Sequence, residues 1–158
     1  MRTSETGRKA FRGIVLHTVG VRGDTTIAAI RRYHVEHNGW ATIGYHRVVR
    51  KDGQVETGRA LWRMGAHTNG ANDTLGICVT GDGDKEPWTA EQSKAVLALC
   101  VEWCRHYGWG AEAVCGHREA PVWLKAKPTS KTCPGKLVDL PAFRAELSLA
   151  LTKRSPKA

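Results

Sequence analysis

The chain has 158 residues, 41% of them apolar and 25% charged, which suits a single globular domain able to bury its own core. No apolar run is long enough to span a membrane, and the opening MRTSETGRKAFRG is charged without an apolar signal segment, so no secretion address is expected. A formal net charge of +9 attracts polyanions, nucleic acid and phosphate-rich bacterial envelopes alike, but there is no basic recognition helix and no RNP-like or C₂H₂ pattern.

Residues 1–10 are polar and are expected to form a flexible segment ahead of a domain over 11–152. Ile14, Val15 and Leu16 form a short continuous apolar run, so residues 11–17 read as a buried strand. Asp24 or Thr25 can cap a helix that carries Ile27, Ile30 and Tyr33 or His34 on one face and closes near Asn38-Gly39. Residues 45–50 and 54–58, joined through Asp52-Gly53, read as a hairpin. Residues 74–80 are a second buried strand, ended by the turn residues 81–84.

Thr89 and Gln92 suit a capping box for the longest helix, with Val96, Leu97, Cys100, Val101, Cys104 and Tyr107 as its apolar stripe and Gly108 as its stop. Residues 113–116 form a short strand that delivers His117. Asp139 starts a last helix, with Pro141 in its first turn, running to about Leu151. Lys153, Arg154 and Lys157 make 153–158 a basic tail. This order predicts an α/β fold, a single domain with a central mixed β-sheet flanked by helices, the hairpin making the sheet mixed.

His17 in FRGIVLHT, His117 in VCGHREAP and Cys133 in SKTCPG each stand where an apolar segment gives way to a loop, the place where an open α/β sheet presents chemistry. Two imidazoles and one thiolate would leave zinc an open fourth position, the layout of a catalytic site. The five cysteines, Cys78, Cys100, Cys104, Cys115 and Cys133, are an odd number in a chain well above disulfide-scaffold size, and they are expected as reduced thiols. His34 and His37 could bind a metal at their three-residue spacing, although a structural role on the first helix is the plainer expectation. His46 is expected to point away from Tyr45, and His106 to serve as a helix C-terminal dipole partner.

The segments 38–59 (NGWATIGYHRVVRKDGQVETGR) and 65–81 (GAHTNGANDTLGICVTG), with GHRE followed by KTCPG, resemble the zinc N-acetylmuramoyl-L-alanine amidases of the phage T7 lysozyme type and the related peptidoglycan recognition proteins. The resemblance runs from about Phe11 to about Phe143. It implies one zinc held by His17, His117 and Cys133 in a cleft at one edge of the sheet. It also implies catalysis by Tyr45, orienting or deprotonating the attacking water, and by Lys131, stabilising the negative charge that develops. His67 and Asn72 match groove positions that hold the muropeptide. Cys78 stands where another branch of the family carries a glutamate base, which favours the assignment to Tyr45 and Lys131.

Residues 121–130 lengthen the path from His117 to Cys133 and resemble an insertion, whose Trp123 and Lys125 line the groove or cover the sheet edge. Trp40 and Trp62 stack on sugar or cover the core. The implied activity is hydrolysis of the bond between N-acetylmuramic acid and L-alanine by a monomeric phage endolysin. Such an enzyme waits in the host cytoplasm for holin release, acts on the wall, and is held on the anionic envelope by its basic surface. The rival expectations are a non-catalytic peptidoglycan receptor of the same fold, against which Cys133 argues, and a basic nucleic-acid or polymerase-binding regulator.

Overall fold

The computed structural model describes residues 11–153. In chain order they form β1 (Ile14–Thr18), α1 (Ile27–Glu36), β2 (Arg47–Val49), β3 (Val55–Thr57), β4 (Leu75–Val79), α2 (Ala90–Tyr107), β5 (Val114–Gly116), α3 (Ala120–Trp123) and α4 (Leu140–Leu151). Single 3₁₀ turns lie at Ala111–Ala113 and His117–Glu119. The expected flexible segment 1–10 and residues 154–158 of the basic tail lie outside the described residues.

The strands make one five-stranded sheet in the order β3-β2-β4-β1-β5. The tight turn after β2 forces an antiparallel pair with β3. The other pairs, β2 with β4, β4 with β1 and β1 with β5, are parallel. The mixed sheet expected from the sequence is therefore present.

Side chains alternate across the sheet, and the two faces have different uses. Ile14 and Leu16 of β1 join Leu75, Ile77 and Val79 of β4 under α2 and α4, where Val96, Cys100, Trp103, Cys104, Phe143 and Leu147 complete the main core. On the opposite face Val15 packs with Ala71, Cys115, Ala120 and Ala126, and Cys78 with Val48, Ile30 and Ile43. His17 shares this second face with Val15. Two helices cover one face; α1 and the loops leave room for chemistry on the other.

The long helix starts as its sequence predicts. The Thr89 hydroxyl accepts from the Gln92 N–H at 3.0 Å, and the Gln92 side-chain oxygen accepts from the Thr89 N–H at 3.0 Å. It ends at Gly108 in the left-handed conformation, φ 73°, which glycine adopts without strain. Asp139 caps α4 by accepting from the Ala142 N–H at 3.0 Å.

The first helix departs from expectation. Thr26 is its cap, accepting from the Ala29 N–H at 3.1 Å, and Ile30 and His34 are its buried residues, while Tyr33 is exposed. Asp24 is used elsewhere. Its carboxylate accepts from Arg50 Nε and Nη2, each at 3.0 Å, from the Lys51 N–H at 3.0 Å and from Thr80 Oγ1 at 2.7 Å. These bonds, Arg50's foremost, outweigh burial and hold its carboxyl down at about 2. The residue pins the loop after β1 to the hairpin and to the end of β4.

Gln92 has a second task, because its side-chain nitrogen donates to Thr80 O at 3.1 Å inside the core. Gln92→Ala should therefore break half of the capping box and leave a buried carbonyl unpaired. Urea unfolding should show a loss of about 2–4 kcal/mol. A change of under about 0.5 kcal/mol would show that the bond contributes nothing net.

Candidate metal centre

Parallel pairing brings the two distant histidines together. β1 and β5 lie in register with Leu16 beside Gly116, so the next residue on each strand, His17 and His117, emerges at the same edge. Their ring centroids are 4.9 Å apart. Cys133 arrives from a loop, accepting from the Thr18 N–H at 3.2 Å with its Sγ 3.6 Å from His17 Nδ1.

The donor atoms of His17, His117 and Cys133 all lie within 4.8 Å of one another, and no other such cluster of three occurs among the described residues. Donors on a tetrahedral zinc, with bonds of about 2.0–2.3 Å, stand roughly 3.3–3.6 Å apart. The Cys133 Sγ–His17 Nδ1 separation of 3.6 Å matches that spacing, and the set has the donor chemistry zinc prefers.

Two clamps hold the cysteine loop. Arg118, the residue after His117, donates from Nη1 to Thr132 O at 3.1 Å and Gly135 O at 2.6 Å, and from Nη2 to Val138 O at 2.7 Å. Its backbone N–H donates to Cys133 O at 2.8 Å. From the other side Asp84 accepts from Thr132 Oγ1 at 2.7 Å and from the Lys136 N–H at 2.8 Å. The turn bearing His117 is fixed in turn by Glu119, which accepts from the Gly116 N–H and pairs with both Nη atoms of Arg144 on α4 at 2.7 and 2.8 Å. Arg118 and Asp84 are not evident from the sequence as supports of the cysteine loop. Their signal was adjacency to His117 and a place in the turn 81–84, neither of which names a distant partner.

Burial governs the protonation of the donors. His17 is held well below the usual imidazole value by burial, with the His67, His117 and Lys131 charges adding to the effect. His117 is lowered by burial and then by Lys131. Cys133 is pushed up to about 11, burial outweighing the Thr18 hydrogen bond and the Lys131 and Arg118 charges. Without a cation, the site holds two neutral imidazoles and a neutral thiol.

The expected catalytic residues lie beside this cluster. The Tyr45 ring centroid is 5.2 Å from that of His17, and burial, followed by Cys78 and Cys133, raises its phenol well above the ordinary value. Lys131 is exposed, and its charge reaches His17, His117 and Cys133. Cys78 pairs in register with His17 on the neighbouring strand and is fully buried, with its thiol raised well above normal by burial, so it is no resident base.

His67 and Asn72, expected in the groove, have partners within the fold. Both ring nitrogens of His67 have protein partners: Nδ1 lies 2.9 Å from His17 Nε2 and 2.8 Å from Thr68 Oγ1, and Nε2 donates to Thr74 O at 2.9 Å. Asn72 Oδ1 accepts from the His67 N–H at 2.8 Å and the Thr68 N–H at 2.9 Å. These atoms are spent inside the fold, where they shape the 65–72 loop. His67 is neutral, lowered to about 3 chiefly by burial.

The remaining histidines are structural. His34 Nδ1 accepts from the Gly44 N–H at 2.9 Å, and His37 stacks on Tyr33 with centroids 4.8 Å apart. His46 points away from Tyr45, with Nε2 2.8 Å from Arg63 O and Nδ1 accepting from the Gly76 N–H. His106 lies in the last turn of α2. Trp40 packs edge-on against His34, centroids 4.7 Å apart, while Trp62 is exposed. In the 121–130 loop, Trp123 lies under the Arg144 guanidinium at 4.3 Å, and Leu124 and Ala126 pack over Val15 and Cys115. This loop covers the sheet edge.

Two imidazoles at the C-terminal ends of parallel strands and a thiol from a loop, beside a phenol and an ammonium, make a donor set compatible with a catalytic metal. A family model described as N-acetylmuramoyl-L-alanine amidase matches residues 7–136, and the chain belongs to that family. It is 36% identical over 117 residues to an endolysin of Klebsiella phage KP32, covering 70% of each chain. Against an endolysin of Escherichia phage T7 the identity is 29% over 135 residues, covering 80% of this chain and 82% of the relative. Among solved structures, the N-acetylmuramoyl-L-alanine amidase LysC from Clostridium intestinale URNW matches with a TM-score of 0.75 and 28% identity over 87% of each chain.

Arg118→Ala should release the cysteine loop. We expect a stability loss of about 2–3 kcal/mol from unpairing partly buried carbonyls, and divalent-metal affinity lower by about ten- to a hundredfold. Arg118→Lys should recover little of either, since one ammonium cannot fork across three carbonyls. Competition titration against a chromophoric chelator checks this, and undiminished affinity in Arg118→Ala would show that Asp84 alone suffices.

Proposed function

We propose that this chain is a zinc-dependent peptidoglycan amidase that hydrolyses the amide between N-acetylmuramic acid and L-alanine, acting as an endolysin in host-cell lysis. The observation that supports this reading is the convergence of the His17, His117 and Cys133 donor atoms within 4.8 Å of one another in an amidase-family fold. The endolysin role is supported by the phage relatives.

In this reading His17, His117 and Cys133 would hold one zinc, which would supply Lewis-acid chemistry for amide hydrolysis. Cys133 would serve as the thiolate donor, giving up its proton to a bound cation. Tyr45, protonated in its buried setting, orients the attacking water from its hydroxyl and does not act as a resident base. Lys131 brings its ammonium to the oxygen on which negative charge develops, the role of an oxyanion stabiliser. His67 and Asn72 shape the site by ordering the 65–72 loop. The catalytic domain is assigned to residues 11–152, working as a monomer.

The charge of +9 would concentrate the enzyme at an anionic envelope. Residence in the host cytoplasm until holin-mediated release follows from the endolysin reading alone. The receptor and nucleic-acid alternatives gain no support from the site, because neither uses a metal-donor set beside a protonated phenol and an ammonium.

Tyr45→Phe and Lys131→Ala should each lose about a hundred- to a thousandfold in turnover of a soluble muropeptide, or roughly 3–4 kcal/mol of transition-state stabilisation, while retaining zinc and fold. Near-normal rates in both variants would remove them from the mechanism. The thiol at about 11 also sets a pH dependence. Both imidazoles are already neutral near pH 7, so zinc uptake releases one proton, from Cys133. Apparent zinc affinity should rise about tenfold per pH unit between pH 7 and 8. A flat profile, or an unchanged slope in Cys133→Ser, would exclude the thiol as a ligand.

A further inference from the structure

His67 occupies a seat built for an imidazole. Gly65 and Gly76 of β4 both lie against the Cδ2–Nε2 side of the ring, and a β-carbon on either would run into it. The ring contacts His17 edge-on, with centroids 5.0 Å apart, and it lies outside the donor cluster.

The proton positions follow from one backbone carbonyl. Thr74 O can only accept, so the nitrogen 2.9 Å from it, His67 Nε2, carries the ring's hydrogen. In the neutral ring Nδ1 is then a bare acceptor, and it lies 2.9 Å from His17 Nε2. Two lone pairs cannot share that distance, so His17 Nε2 must bring the hydrogen. The Thr68 hydroxyl, 2.8 Å from His67 Nδ1 and 3.2 Å from His17 Nε2, is compatible with this arrangement because it both donates and accepts. With its hydrogen on Nε2, His17 has its lone pair on Nδ1, the atom 3.6 Å from Cys133 Sγ.

We propose that His67 is a positioning residue for the metal centre. Through the chain Thr74 O, His67, His17 it fixes the His17 tautomer, so that Nδ1 always faces Cys133 with a free lone pair. The inference rests on the metal reading above, but the tautomer itself is a property of the metal-free chain. A bonded outer partner of this kind orients a ligating imidazole and raises its basicity, and its loss typically costs ten- to a hundredfold in metal affinity. Relaxing the choice lets His17 hold its hydrogen on Nδ1, where it blocks ligation.

The test reads that hydrogen directly. In metal-free, full-length protein carrying ¹⁵N-histidine, long-range ¹H–¹⁵N correlation distinguishes a protonated ring nitrogen from one with a lone pair. Wild type should show His17 protonated at Nε2. His67→Phe keeps an aromatic ring at the position and removes the acceptor. It should show both His17 tautomers and bind zinc about ten- to a hundredfold more weakly in chelator competition, with the fold kept and the melting temperature lowered by the unpaired Thr74 carbonyl. His67→Asn, which keeps an acceptor near the Nδ1 position, should retain the Nε2 tautomer and most of the affinity.

If His67→Phe does not fold, the wild-type spectrum and His67→Asn decide the matter. Protonation at Nδ1 of His17 in wild type would overturn the proposal. So would a folded His67→Phe with wild-type tautomer and wild-type zinc affinity. Failure of the ligand assignment is separable: Cys133→Ser with undiminished zinc would sink that set and leave the His17 tautomer result standing.

Discussion

The site depends on the parallel pairing of β1 with β5. Their register puts His17 and His117, one hundred positions apart, side by side at one strand end. The alternation of side chains sends His17 to the face that α2 and α4 do not cover. A one-residue slip of β1 would turn His17 into the apolar core and Leu16 into the site. Ile14, Leu16, Leu75 and Ile77 resist that slip, because each would exchange burial under two helices for the opposite face. The hydrophobic pattern that makes the core thus also aims the first donor.

The third donor is held by different physics. Cys133 lies on irregular chain, and ordering each such residue costs about 1–2 kcal/mol of backbone entropy. Arg118 and Asp84 offset this with charge-assisted bonds from opposite sides of the loop, so Cys133 is held without a strand or helix beneath it. Arg118 immediately follows His117, so one short stretch of chain fixes both later donors relative to each other.

Local features of the fold were legible in the sequence. The apolar runs of β1 and β4, the Thr89–Gln92 box, the stop at Gly108 and the Asp139 cap all depend on residues within a few positions of one another, and each is present. The metal-donor triplet was legible from strand-end placement and motif context, and the structure brings the three together. What escaped was long-range. Asp24 resembles a helix cap by spacing, yet Arg50, Lys51 and Thr80 claim its carboxylate. His67 is expected in the groove from the family resemblance of its GAHT segment. Only its contacts with Thr74 and His17, together with the glycines that seat its ring, reveal an inward role. Composition cannot show which of two partners a polar atom will choose when both are distant in the chain.

The central claim is that His17, His117 and Cys133 hold the metal that cuts the bond between N-acetylmuramic acid and L-alanine. The most direct measurement is the appearance of new L-alanine amino termini on purified peptidoglycan, followed with metal-free protein, with zinc restored, and with Cys133→Ser plus zinc. We expect none from the metal-free protein, full release once zinc is restored, and little from the variant. Undiminished release by the metal-free protein, or wall degradation yielding new reducing sugars and no L-alanine termini, would contradict the account.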